Sequence, residues 1–158
     1  YLSKSHTGAL IVFQNDLSNT YHDVGTMLNA DVSTELLLTI FHENTPLHDG
    51  AVIIREGRIL SAACFLPLTS NINVAKELGT RHRAAISTTE SSDAVVVVVS
   101  EETGNISVAI DGKLRRDFNM GSLHEFLEKE LIVKTDDNDN SFISKIKMIG
   151  GNRNDSSK

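Results

Sequence analysis

Five consecutive valines, Val95 to Val99, limit what this chain can fold into more than any other stretch. A β-branched side chain at every position disfavours helix and suits a pleated strand. Successive strand residues point to opposite faces, so an all-valine strand has no polar side to offer water. It must be a central strand covered on both faces. Ala9-Leu10-Ile11-Val12-Phe13, ended by Gln14-Asn15-Asp16, is a second buried strand of the same kind. Together they predict an α/β domain: a central mixed β-sheet flanked by helices on both faces.

The remaining elements fit around these strands. Residues 24–30 are ambiguous, a potential strand punctuated by Gly25 and Asn29. A helix is expected from Asp31 or Ser33, with Leu36, Leu37, Ile40 and Phe41 at helical spacing and Glu35 in the first turn. Asn44-Thr45-Pro46 stops it. Ala51 to Arg55 and residues 58–66 read as a hairpin joined by Glu56-Gly57, closed by Pro67. A polar loop over residues 68–74 precedes a helix over residues 80–89, with Thr80 as N-cap. After the valines, Glu102-Thr103-Gly104-Asn105 turns into Ile106 to Ile110, and Asp111-Gly112 turns into Lys113 to Phe118. Leu123, Phe126, Leu127 and Leu131 stripe a last helix. Beyond Val133 the Asp-, Asn- and Ser-rich end reads as a mostly disordered tail. The domain is thus placed at residues 1–133 and the tail at 134–158.

A length of 158 residues suits one domain with a sizeable core. The net charge of −6 argues against nucleic acid held by a broad basic field, but leaves room for a nucleotide held by a few cations. The single Cys64 excludes an internal disulfide and reads as a small core residue. No apolar stretch is long enough to span a membrane, and no secretory signal is visible. The start at Tyr1 without an initiator Met is that expected of a fragment of a longer protein.

Gly79-Thr80-Arg81-His82-Arg83 places cations in the first turn of a helix, against the helix dipole, at a cost of about 0.3–1 kcal/mol each. An anion at that N-terminus, where backbone N–H groups are free, resolves the conflict and suggests a polyphosphate site. The alternative is a surface turn whose cations pair with nearby carboxylates. His48-Asp49-Gly50-Ala51 precedes a buried strand, where Gly50 permits close backbone approach and His48 and Asp49 can bind a metal or accept a proton. A plain Asx turn is its competing reading. Ser100-Glu101-Glu102-Thr103-Gly104 follows the valine strand, where α/β sheets commonly bind ligands; a solvated turn competes. Arg81 and Arg83 can clamp phosphate, His82 adds a donor, and Phe65 and Leu66, at the end of a hairpin strand, offer an apolar wall to a base or are simply core. His6, His22, His42 and His124 read as surface residues.

The chain resembles the diadenylate cyclase (DAC) domain family. The resemblance rests on Asp49-Gly50-Ala51 and Arg81-His82-Arg83, within Asn44-Thr45-Pro46-Leu47-His48 and Leu78-Gly79-Thr80, followed by Val99 to Gly104 and Asp111-Gly112-Lys113-Leu114-Arg115-Arg116. It covers roughly residues 8–131 and is nearest the membrane-anchored subfamily of Gram-positive bacteria. Ser5-His6-Thr7 and Ile86-Ser87-Thr88-Thr89 depart from the family pattern without touching either motif. The resemblance implies condensation of two ATP into cyclic di-AMP and two pyrophosphates, within a homodimer whose sites meet face to face. It implies Asp49, Arg81, His82 and Arg83 as catalytic residues. Gly50, Ala51, Phe65, Leu66, Gly79, Thr80, Ser100 and Glu101 would join the RHR triplet in binding ATP. His48, Asp49 and Glu101 would hold a divalent metal ion, Mn²⁺ or Mg²⁺, with Co²⁺ as a further candidate. It also implies an N-terminal membrane anchor outside this sequence, a cytoplasmic-face location and no nucleic-acid partner, and leaves regulatory protein partners open. A non-catalytic adenine-nucleotide-binding module is the alternative.

Overall fold

The computed structural model describes residues 1–14, 25–68 and 78–132. The valine run is strand β5 (Val95–Val99), with every residue buried. The other strands are β1 (Ala9–Phe13), β2 (Thr26–Asp31), β3 (Ala51–Arg55), β4 (Arg58–Cys64), β6 (Ile106–Ile110) and β7 (Lys113–Phe118). The helices are α1 (Thr34–Ile40), α2 (Thr80–Glu90) and α3 (Met120–Ile132). The strands form one seven-stranded sheet in the order β2-β4-β3-β1-β5-β6-β7. Only β1 and β3 run parallel among the described strands, so the sheet is mixed, as expected.

Alternation along β5 assigns the two faces. Val96 and Val98 join Leu10, Val12, Ala51, Ile53 and Ala109 against Ala84 and Ala85 of α2. Alanines on the inner side of α2 let the helix backbone come close to the sheet, and Thr89 Oγ1 accepts from Gly112 N at 3.2 Å, tying the helix to the β6–β7 turn. On the opposite face, Val52, Ile54 and Ile59 pack against Ile40 and Phe41 at the end of α1. Val95, Val97, Val108 and Ile110 meet Leu123, Phe126, Leu127 and Leu131 of α3, the stripe the sequence predicts. Cys64 is buried, as its apolar context requires.

Several element ends differ from expectation. Strand β4 stops at Cys64 rather than at residue 66, so Phe65 and Leu66 leave the sheet. Phe65 is 69% exposed and is not a core residue, while Leu66 packs partly against the α2-side core. The ambiguous segment is edge strand β2, bulged around Asn29, which takes φ 46°. Helix α1 is capped by Ser33, whose Oγ accepts from Leu36 N at 3.1 Å. Thr80 is not a cap: the N-cap of α2 is Gly79, with no side-chain bond, and Thr80 is the first helical residue. The polar loop beyond Leu68 and the tail 134–158 lie outside the described residues, as does His22.

Candidate active site

Sheet topology gathers the sequence motifs at one end of the molecule. Ala9 pairs with Val99, Val99 with Ile106, Ile106 with Phe118, and Ala51 with Cys64. The start of β3, the start of β1 and the ends of β4 and β5 therefore share one rim. Asp49 and Gly50, Gly8, Phe65, and Ser100 with Glu101 lie next to each other along it. Helix α2 brings its N-terminus to the same rim from one face.

There, a cavity of about 200 Å³ is lined by Gly79, Thr80, Arg81 and His82 from α2 and by Ser100 to Thr103 after β5, with Ser107 and Arg116 from the sheet. Six of the expected residues thus come together: Gly79, Thr80, Arg81, His82, Ser100 and Glu101. Arg81, His82 and Arg83 occupy the first turn of α2, which holds no acidic residue. The Ser100 turn is closed by Gly104 N donating to Ser100 O at 2.9 Å and by Thr103 N donating to Ser100 Oγ at 3.3 Å. Gly104 takes φ 72°, which glycine tolerates and most side chains do not.

Arg81 and Glu101 face each other across the cavity floor, Nη1 to Oε2 at 2.6 Å. The carboxylate-pairing alternative from the sequence is therefore realised for this one cation. Gly8 lies beneath the pair: a Cβ there would come within 2.7 Å of Arg81 Nη1 and 3.0 Å of Glu101 Oε2. His82 is half-buried, and burial pushes its pKa below the usual imidazole range; Arg116 adds to this and Glu102 partly opposes it. At neutral pH it is an uncharged imidazole, able to donate one hydrogen bond. Arg83 does not line the cavity, and its buried Nε has no hydrogen-bond partner among the described residues.

The DGA triplet is built differently. Asp49 is exposed. Gly50 takes φ 112°, with the backbone of Ala63 and Cys64 so near that a Cβ would lie 2.8 Å from Ala63 C. Ala51 is fully buried opposite Cys64, so its side chain packs the sheet. His48 Nδ1 lies 2.6 Å from Thr45 O; a proton donated there leaves Nε2 with a free lone pair, the form in which imidazole binds a metal. Among the described residues no three His, Cys, Asp or Glu side chains stand close enough to hold a metal ion, so His48, Asp49 and Glu101 are not a preassembled ligand group. Glu101 is instead engaged by Arg81.

Leu78, Val99, Glu102, Thr103, Asn105, Ser107 and Arg116 also line the cavity, without an individual site role expected of them from the sequence. Glu102 and Thr103 were legible as neighbours of Ser100. Ser107 and Arg116 arrive by long-range strand pairing, which local pattern does not encode.

A family model described as "DAC: DisA bacterial checkpoint controller nucleotide-binding" matches residues 1–114. The chain belongs to the DAC family. It is 48% identical over 138 residues to the cyclic di-AMP synthase CdaA of Bacillus subtilis, covering 87% of this chain and 50% of that protein. It is 49% identical over 136 residues to a diadenylate cyclase of Listeria monocytogenes, covering 85% and 50% respectively. This DAC chain therefore spans about half the length of the curated relatives it matches. Among solved structures, a double cysteine mutant of DacA from Staphylococcus aureus superposes with TM-score 0.78 at 47% identity, covering 82% of this chain and 87% of that one. A hypothetical membrane spanning protein from Bacillus cereus gives TM-score 0.68 at 48% identity, covering 75% and 58%. The DAC chain thus has the α/β fold of the DacA structure. No helix among its described residues is long and apolar enough to cross a membrane.

Proposed function

We propose that this DAC domain is a diadenylate cyclase that condenses two ATP into cyclic di-AMP with release of two pyrophosphates. The observation that carries the reading is the cavity joining the Thr80-Arg81-His82 helix start to the Ser100-Glu101 turn. An α-helix N-terminus with free N–H groups, a guanidinium and a neutral imidazole donor is built for a triphosphate. Relatives named as cyclic di-AMP synthase and diadenylate cyclase, at close to half identity, support the same chemistry.

Each domain binds one ATP, and two copies meet so that each 3′-hydroxyl oxygen attacks the other nucleotide's α-phosphorus. The new P–O bond forms as the bond to the β-phosphate oxygen breaks, pyrophosphate leaves, and the 3′-hydroxyl proton passes to the Asp49 carboxylate. Asp49 is exposed at the rim, as a base serving a reaction between two chains must be. Arg81 holds and neutralises the phosphates and His82 donates a hydrogen bond to them, while Arg83, which does not line the cavity, would have to turn towards it to add its charge; Thr80, Gly79 and Ser100 contribute hydrogen bonds; Phe65 and Leu66 face the adenine. Phosphoryl transfer depends mainly on positioning and charge neutralisation, so one half-site alone does no chemistry.

A divalent ion, Mn²⁺ or Mg²⁺, would be held by His48 Nε2 and the carboxylates of Asp49 and Glu101, donors of the right chemistry that would have to converge on it. When bound, it would neutralise phosphate charge during transfer. Glu101 would serve it only after parting from Arg81, whose guanidinium would then be available to the phosphates. The Bacillus cereus neighbour's description as membrane spanning supports a place at a membrane, and the need for ATP puts the domain on its cytoplasmic face.

The test is incubation with ATP and Mn²⁺, followed by chromatography. Cyclic di-AMP should appear, at a rate per chain that rises with protein concentration until the dimer saturates. Nucleotide binding without product, at high protein concentration and with several metals, would establish a binding module instead.

A further inference from the structure

Arg116, the last residue of the Asp111-to-Arg116 stretch, is the second guanidinium lining this cavity and has no role assigned to it so far. It stands on β7, the sheet's edge strand, and lines the cavity with His82, Glu102 and Ser107. Alternation along β7 turns it there: Leu114 packs with the α2-side core, and Arg115 lies over the Phe126 ring of α3 at 5.3 Å. Arg81 already has a carboxylate partner, whereas Arg116 makes no ion pair or side-chain hydrogen bond among the described residues. Glu101 compensates Arg81 and Glu102 also lines the cavity, so among the described residues Arg116 is the guanidinium with no bridging carboxylate and the one placed to take an added anion.

The strand order says which part of a nucleotide that anion is. Along the rim, Phe65 and Leu66 follow β4, Asp49 precedes β3, Gly8 precedes β1, Ser100 follows β5, and Ser107 and Arg116 stand on β6 and β7. At about 4.8 Å per strand, β4 and β7 are roughly 24 Å apart. A nucleotide with its base at β4 and its phosphates over the α2 N-terminus runs along this rim, and its far end comes to β7.

We propose that Arg116 is a substrate-binding residue that holds the terminal phosphates, the pair that leaves as pyrophosphate, and makes the site select triphosphates over diphosphates. This rests on the cyclase reading above and adds a residue and a specificity to it. The guanidinium is planar and doubly donating, suited to adjacent phosphate oxygens in a way an ammonium is not.

The experiment compares calorimetric binding of α,β-methylene ATP and α,β-methylene ADP, neither of which can be turned over, by the wild type, Arg116→Ala, Arg116→Lys and Arg115→Ala. The wild type should prefer the triphosphate. Arg116→Ala should weaken triphosphate binding by about tenfold to a hundredfold, the range for one charge-assisted contact, and diphosphate binding by much less. Arg116→Lys should recover part of the preference, and Arg115→Ala should leave it intact. An unchanged preference in Arg116→Ala, or an equal loss in Arg115→Ala, would overturn the assignment. Turnover of ATP by the wild type, assayed in parallel, separates the two readings. Product formation with an unchanged preference in Arg116→Ala removes only the role of Arg116. Wild type that neither binds the analogues nor forms product removes the cyclase reading itself.

Discussion

Asp49 and His82 show how differently two site residues are prepared by their surroundings. Asp49 is exposed and, in the reaction proposed, accepts a proton from a hydroxyl that reaches it only in the assembled dimer. Asp49→Asn keeps the shape and removes the base. Turnover should fall by at least about a hundredfold, while calorimetric ATP binding changes by no more than two- or threefold. Loss of binding together with turnover would instead make Asp49 a substrate-binding residue. His82 sits between cations and has a pKa lowered by burial and by Arg116. The unfolded chain therefore takes up a proton on this residue at higher pH than the folded chain does. The folded state loses stability as pH falls from the ordinary imidazole range towards the lowered pKa, and the effect is flat below both. The difference in melting temperature between the wild type and His82→Gln should accordingly shrink or reverse in favour of the variant between pH 7.5 and 5.5, without nucleotide. A pH-independent difference would show that His82 titrates normally.

Two glycines at element boundaries separate packing from function. A Cβ at Gly50 would strike the backbone of the neighbouring strand, and its φ of 112° strains any other residue. Gly50→Ala should lose about 1–3 kcal/mol in denaturant unfolding. The nearest atoms a Cβ at Gly8 would meet are the flexible ends of Arg81 and Glu101. Gly8→Ala should stay within about 1 kcal/mol of the wild type yet lose roughly tenfold in turnover, because the cation and the acid it displaces are the ones proposed to meet substrate and metal. A Gly8 variant with full activity would mean that the pair's resting position is irrelevant. Much at this scale was legible in the sequence. The hairpin turns at Glu56-Gly57 and Asp111-Gly112 adopt positive φ at both residues, as their sequences demand. Ser33 caps α1 as its spacing predicts. Helix α2 begins at Thr80 as expected, but its N-cap is Gly79 rather than Thr80, since a missing side-chain cap cannot be seen in a sequence that offers a threonine. Edge strand β2 was ambiguous because its burial alternates weakly and Asn29 interrupts it. Strand β4 ends two residues before its apolar run does, because Phe65 and Leu66 continue the apolar pattern while the chain leaves the sheet after Cys64. The α3 cap also went unread: Asn119 Oδ1 accepts from Ser122 N at 2.9 Å, and Ser122 Oγ accepts from Asn119 N at 3.0 Å.

At the scale of the molecule, the layer order and the valine strand's central place followed from burial logic alone. The site was legible only as separate motifs, since which strands sit side by side is decided by pairings far apart along the chain. That arrangement has a kinetic consequence. Strands β3 and β4, and strands β5 to β7, are joined by short turns, and each group can form from neighbouring segments. Strand β1 alone links the two groups, parallel to β3 and antiparallel to β5, through contacts of long sequence separation. Closing such loops is slow relative to forming hairpins. Asp49 belongs to one group, Ser100, Glu101 and Arg116 to the other, and Gly8 to the link itself. In a refolding time course, secondary structure should accordingly return before the capacity to bind a fluorescent ATP analogue; simultaneous recovery would mean that β1 docks as early as the hairpins. The seam that completes the sheet also completes the nucleotide site, so a chain caught part-folded, however much strand it has regained, is blind to its substrate.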